Sequence, residues 1–416
     1  MKNALLAPVD LSDHYVAERQ KIDELVRHRY LHWLITKAVA DTEDLRDGIL
    51  DGDFIDDSVA IDAATRKQNQ RLLLDVEKEG EIRRAEAKRE AAAIREQAKK
   101  VLANHMRKHM KKQLGDTTHV MLNLLQIPAN FADLINDLFK ASIGYRDLSR
   151  MIKSIPGLEK KLVAMVNDRD FCKSIGRECR PIKDGMMALG SLGIPGLRLL
   201  IPMLVVKQST RFRCPFYPMM GHKIWSYTTT MANSTRFLLK ETGYGCDSGD
   251  ELDGIVAGVF HSFGLIAIHH QFARSFEEVK LQCLTVLREN QNRPLYNAML
   301  EVEADLTLMM ELLLEMGDDI TLRVSENFAW QRMTHLQTAI RQVHDRIPLK
   351  DRTIHAIAME QARSYAQFEM LRRAKRFTAK EHVRPFLDHV QIHNEHINKM
   401  VRADVRKINL REYIGK

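Results

Sequence analysis

Apolar residues recur at helical spacing through most of this chain, and alternating strand-like runs are not what organises it. Ile22, Leu25, Val26, Tyr30, Leu31, Leu34 and Ile35 fall on one face of a helix predicted over residues 14–40. From about Asp62 to Leu114 there is no proline and one glycine, Gly80, among abundant Ala, Glu, Lys and Arg. That composition predicts a long exposed helix. Glu79 with Arg83 and Glu96 with Lys100 are paired in the favourable i,i+4 orientation. Its apolar stripe of Ala87, Ala91, Ile94, Ala98 and Val101 or Leu102 is thin, enough for weak helix pairing.

Gly185 to Val206 is apolar apart from Ser191 and Arg198, and long enough to cross a bilayer. Pro195 and Pro202, with Gly190, Gly193 and Gly196, instead predict two short buried helices broken near Gly193. No transmembrane span is expected. Val302 to Gly317 is a further apolar, Met-rich helix, and Phe386, Val390, His393, Ile397 and Val401 mark a last one. The predicted fold class is all-α. The expected organisation is an N-terminal helical segment with an acidic linker (1–60), a long basic helix (61–115), a helical domain (116–348) and a helical C-terminal extension (349–416).

Composition adds two points. The five cysteines, at 172, 179, 214, 246 and 283, are odd in number and contain no CxxC. Neither a disulfide framework nor a structural zinc is indicated, and with no signal peptide at the start a reducing cytoplasm is the expected location. Cys172 and Cys179 are two helical turns apart, too far for a disulfide. The net charge is +8, and residues 64–112 alone carry 15 Lys/Arg against 7 Asp/Glu, directly after an acidic stretch from Asp41 to Asp57. Those positive charges are spread around the helix, so the plain reading is a solvated arm, followed by a helix that self-associates or docks on an acidic protein surface, and then by nucleic-acid or anionic-membrane contact.

Chemistry centres on Ala257-Gly258-Val259-Phe260-His261-Ser262-Phe263-Gly264. The segment resembles the centre of the HD phosphohydrolase superfamily, where a His-Asp pair binds metal. Here Ser262 stands where the resemblance expects the carboxylate, and a neutral hydroxyl is a poor substitute for an anionic ligand. Other motifs are similar to the HDOD family, the non-catalytic relatives of those enzymes found in bacterial signalling proteins. They include Leu148, Ile152, Pro156, Leu158, Leu162 and Asn167, with Ile155 in place of the usual Asp. Gly190 in a small-residue helix, Arg198 in Leu197-Arg198-Leu199-Leu200, and Trp225 with Ala232 downstream complete the set. Tyr227 takes the position of that helix's His. The resemblance implies degenerate metal-site positions at Tyr227, His261 and Ser262, with Gly258 and Gly264 as motif glycines, and no cofactor.

Other candidates have plainer readings. His269 and His270 follow His261 at i+8 and i+9, and do not chelate one metal by themselves. His222 and Asp305 are conceivable further ligands beside His261. Phe212 to Tyr217 mixes aromatic and basic residues as a nucleic-acid loop does, although a packed loop accounts for it as well. No phosphate-binding glycine loop or nucleophile elbow is present. The function that the HDOD resemblance implies is a bacterial regulatory protein without catalysis. Its core would serve as a docking platform, with the arm and the C-terminal helices selecting a partner. A divergent metal-dependent phosphohydrolase and a nucleic-acid binder are the alternatives.

Overall fold

A computed structural model describes residues 2–9, 12–36, 75–140, 142–176, 178–244, 250–377 and 380–414. The acidic stretch 41–57 lies outside them. The fold is all-α, and no strand occurs among the described residues. The principal helices are α1 (Asp13–Ile35), α2 (Asp75–Gly115), α3 (Phe131–Leu138), α4 (Tyr145–Ser154), α5 (Leu158–Val166), α6 (Gly185–Ser209), α7 (Met220–Glu241) and α8 (Asp253–His261). They are followed by α9 (Phe263–Glu289), α10 (Arg293–Glu301), α11 (Leu306–Asn327), α12 (Thr334–His344), α13 (Ile354–Arg373), α14 (Val383–His389) and α15 (Asn394–Ala403).

Two compact units emerge, and they cut across the expected boundaries. Unit 1 comprises residues 1–37, 110–274 and 305–416; unit 2 comprises 38–109 and 275–304. The N-terminal helix and the whole C-terminal stretch 349–416 therefore belong to unit 1. At its centre α7 packs along α8 and α13, while α1 runs against α11, α13 and α14. Helix α13 is buried along nearly its whole length, with Ala356, Ile357, Ala362, Ala366 and Leu371 fully covered. On α1 the predicted apolar face is the one that is covered, from Ile22 and Val26 to Leu34 and Ile35.

Helix α6 breaks where glycine and proline cluster. Gly193 takes φ +68°, a left-handed conformation natural to glycine, and divides the element into two helical pieces. This stretch and the α8–α9 stretch Asp253–Glu289 are both long and apolar enough to cross a membrane, and both are mostly buried within the fold.

Unit 2 pairs part of α2 with α10 and the later part of α9. Ala98, Leu102 and Met106 are buried at i,i+4 steps on α2, Val279 and Cys283 are buried one turn apart on α9, and Met299 is buried on α10. From Glu79 to Ala93 the arm is exposed on nearly every side, Ala87 and Ala91 included. The Glu79–Arg83 and Glu96–Lys100 pairs form at 3.7 and 3.9 Å.

Candidate functional site around His261

Helix α8 ends at His261, and Ser262 caps it before α9 begins. Two close backbone approaches place this junction. A Cβ added at Gly258 would overlap the backbone of Ala232 on α7, and one added at Gly264 would overlap the carbonyl of Gly317 on α11. Only a hydrogen side chain permits either approach. The amide of Gly264 also donates to Thr321 Oγ1 at 3.1 Å. The motif glycines therefore set helix-to-helix distances, and Gly317 carries its neighbour Asp318 to His261.

The surroundings of His261 are charged. Arg27 from α1 donates to Asp318 Oδ2 at 2.8 Å, and the Arg363 guanidinium from α13 stands 3.7 Å from the same oxygen. One helical turn earlier on α13, Glu360 accepts from Arg352 at 3.1 Å. Tyr30 and Tyr227 stack obliquely at 5.3 Å between ring centroids, and Tyr227 meets the His261 ring edge-on at 6.4 Å. Arg27, Tyr30, Tyr227, His261, Asp318 and Arg363 all face a cavity of about 30 Å³. The Tyr30 hydroxyl and His261 Nε2 are covered and have no hydrogen-bond partner. The space exceeds the ~10–15 Å³ that one water needs, and its lining is polar enough to hold one.

Electrostatics follow from this arrangement. Burial acts to raise the Asp318 carboxyl, but Arg363, Arg27 and His261 outweigh it and hold it well below the usual carboxylate range. Burial likewise opposes the charge on Arg363, and Asp318 and Glu360 overcome it, so the guanidinium is held more firmly than usual. Burial and then Arg363 push His261 down to about 4, leaving a neutral imidazole at pH 7. Burial raises the Tyr227 phenol, which keeps its proton.

A divalent metal does not fit these residues. Ser262 Oγ turns back to the carbonyl of Gly258 at 3.4 Å on its own helix, and the serine is fully buried there. Tyr227 is a neutral phenol, and the one carboxylate lining the cavity, Asp318, already faces two guanidinium groups. A cation entering the cavity would meet Arg27 and Arg363 before it met an unpaired anion. The positive charge at this centre is supplied by the chain itself.

The other positions have structural work. Leu148, Ile152, Leu158 and Leu162 are core residues of α4 and α5; Pro156 is exposed in the turn between those helices. Asn167 clamps a loop, donating to the Ile182 carbonyl and accepting from its amide, each at 2.7 Å. Arg198 donates to the carbonyls of Leu138 and Lys140 at 2.9 Å, covering the C-terminal end of α3. Trp225 lies under the Lys207 ammonium at 5.3 Å, Ala232 receives Gly258, and Gly190 is exposed with open space around it. His222 is exposed and does not line the cavity. Asp305 caps α11 by accepting from the Thr307 amide. His269 and His270 pack against Phe212, and His270 Nε2 pairs with the Ser209 carbonyl at 2.8 Å. Cys214 and Tyr217 are buried, so the aromatic–basic segment is a packed loop with Arg211 and Arg213 outside. Cys172 and Cys179 form no disulfide; their thiols donate to the carbonyls of Val166 and Asn167, each at 3.3 Å.

Sequence reasoning missed Arg27, Asp318, Glu360 and Arg363. The one available signal was an arginine at 363 among Ala362, Ser364 and Ala366 on a helix otherwise suited to a core. Comparison of the chain with family models, curated proteins and solved structures returned no match.

Proposed function

We propose that this protein is a non-enzymatic regulatory protein of the bacterial cytoplasm, built on a degenerate HD-type core of the HDOD kind and acting through protein contact. The observation that carries this reading is the pairing of Asp318 with Arg27 and Arg363 beside His261. In a metal-dependent hydrolase the corresponding charge balance is completed by an ion that polarises a phosphate and activates water. Here guanidinium groups complete it, Ser262 supplies no anionic ligand, and the cavity is small. The centre ties α1, α11 and α13 to the end of α8 and serves as a rigid keystone for a docking platform.

Partner contact is assigned to unit 2. Four of the five most exposed large apolar side chains of the described residues, Ile82, Leu281, Val286 and Leu300, belong to it, beside the basic surface of α2. An exposed apolar and basic surface fits an acidic protein partner or a second copy of the arm better than a solvated helix does.

The test is metal analysis of the purified full-length chain alongside Mn²⁺-supported hydrolysis of a generic phosphodiester, for the natural sequence and His261→Ala. The expectation is no hydrolysis and no metal that depends on His261. Stoichiometric metal lost in His261→Ala, or turnover abolished by it, would make the protein an enzyme and end this reading.

A further inference from the structure

A second polar cluster lies in unit 1, built from residues that no motif singles out. Asp253 opens α8, His335 stands second on α12, and His355 stands second on α13. His335 Nε2 lies 2.8 Å from Asp253 Oδ2. The His335 and His355 rings are 4.4 Å apart between centroids, tilted by 46°, and Tyr244 abuts His355 edge-on at 4.7 Å. One ligand atom from each of the three residues lies within 4.8 Å of the other two.

The cluster is deep. Asp253 and His355 are buried and His335 is half-buried. His355 is 3% exposed, and its Nε2 is covered with no hydrogen-bond partner. Buried polar atoms are nearly always paired, and an orphan calls for a water, an ion or a chemical role. An ordinary His335–Asp253 hydrogen bond accounts for two of the three residues and leaves His355 unexplained.

The donor set narrows the ligand. Two imidazoles and one carboxylate suit zinc and its divalent transition-metal neighbours, whereas magnesium and calcium take oxygen ligands. Metal–ligand bonds of about 2.0–2.2 Å put neighbouring donors of a tetrahedral site roughly 3.3 Å apart. The Asp253–His335 separation already falls inside that reach. Modest side-chain rotation closes the remainder, and all three donors are carried on regular helices.

We propose that Asp253, His335 and His355 bind one divalent transition-metal ion, which pins the N-terminal ends of α8, α12 and α13 together and leaves a coordination position open. The site is distinct from the His261 centre. Asp253 and His261 are eight residues apart on α8, about 12 Å of helical rise.

The test uses the full-length chain, stripped with a chelator and titrated with Co²⁺ and then Zn²⁺. The expected result is one equivalent of Co²⁺ with visible d–d absorption, displaced by Zn²⁺, and a metal-dependent rise in the thermal midpoint. His355→Ala and, should that variant not fold, His355→Gln weaken Co²⁺ binding by about 100-fold or more, as loss of a direct ligand should exceed a supporting-shell loss. Both also remove the midpoint rise, while His261→Ala keeps both signals. No Co²⁺ or Zn²⁺ binding by the natural sequence, or unchanged binding in the His355 variants, overturns the inference and leaves the docking reading standing. Binding lost in His261→Ala but kept in the His355 variants places the ion at the other centre and overturns both.

Discussion

The two ends of α8 treat buried polarity in opposite ways. At the His261 end, Asp318 faces Arg27 and Arg363, Glu360 faces Arg352, and the ion pairs balance one another. At the Asp253 end a carboxylate and two imidazoles meet, and one imidazole nitrogen is orphaned. A centre that carries its own cations has little use for a metal ion, while a centre where imidazole and carboxylate donors cluster can accept one. The residue types that suggest metal chemistry in a sequence, a histidine in a glycine-rich apolar segment, therefore mark the less suitable of the two places.

The comparison breaks most readily at Arg363. Removing this buried side chain leaves Asp318 and Glu360 short of their counter-charge, and Arg363→Ala should lower stability by about 3–5 kcal/mol in urea unfolding. Adding Asp318→Asn to that variant should recover part of the loss. A loss under about 1 kcal/mol would show that the charges at this centre are not holding one another.

Next in size is the backbone approach that brings Asp318 to His261. A methyl group at Gly264 has to displace the Gly317 carbonyl, so Gly264→Ala should cost about 1–3 kcal/mol or more. Gly190→Ala, on the same chain but in open space, should stabilise by roughly 0.4–1 kcal/mol. Equal effects of the two substitutions would remove the argument that Gly264 sets a helix contact.

Buried imidazoles away from both centres isolate the effect of burial itself. Burial, then the neighbouring His270, pushes His269 down to about 3; burial pushes His270 down to about 4 against the opposing hydrogen bond to Ser209. Both are neutral in the fold where the unfolded chain, with a histidine near 6.5, takes up protons. Their contribution is therefore complete above about pH 6.5 and is lost as pH falls toward 4 and 3, by about 1.4 kcal/mol per pH unit for each. Urea midpoints at pH 7 and 4.5 test this, and His270→Gln should make the decline shallower. A midpoint that does not move over that range contradicts it.

The smallest effect is expected at an exposed ion pair. Arg95 and Glu301 in unit 2 meet at 3.0 Å with both side chains more than half exposed. Glu301→Gln should change stability by about 0.5 kcal/mol or less, and less still at high salt. A loss approaching that of Arg363→Ala would mean that exposure does not separate the two cases.

Much of the helix layout was legible in local pattern. The apolar face of α1, the arm and its i,i+4 pairs, and the interruption of α6 at Gly193 all depend on residues within a turn or two of each other. The His261 junction was visible because glycines and a histidine fall within eight residues. Its partners were not, since Arg27, Asp318 and Arg363 come from three distant helices. Arg27 and Asp318 are 291 positions apart, and neither has a neighbour in sequence that hints at the other. The Asp253, His335 and His355 cluster was hidden for the same reason.

What the amino-acid sequence determined by itself was the class and register of the helices, because hydrophobic periodicity, glycine and proline act over one or two turns. Which charges face one another was decided only by the tertiary structure. Coulombic and ligand geometry depends on distances between side chains, and those exist once α1, α8, α11, α12 and α13 have packed together.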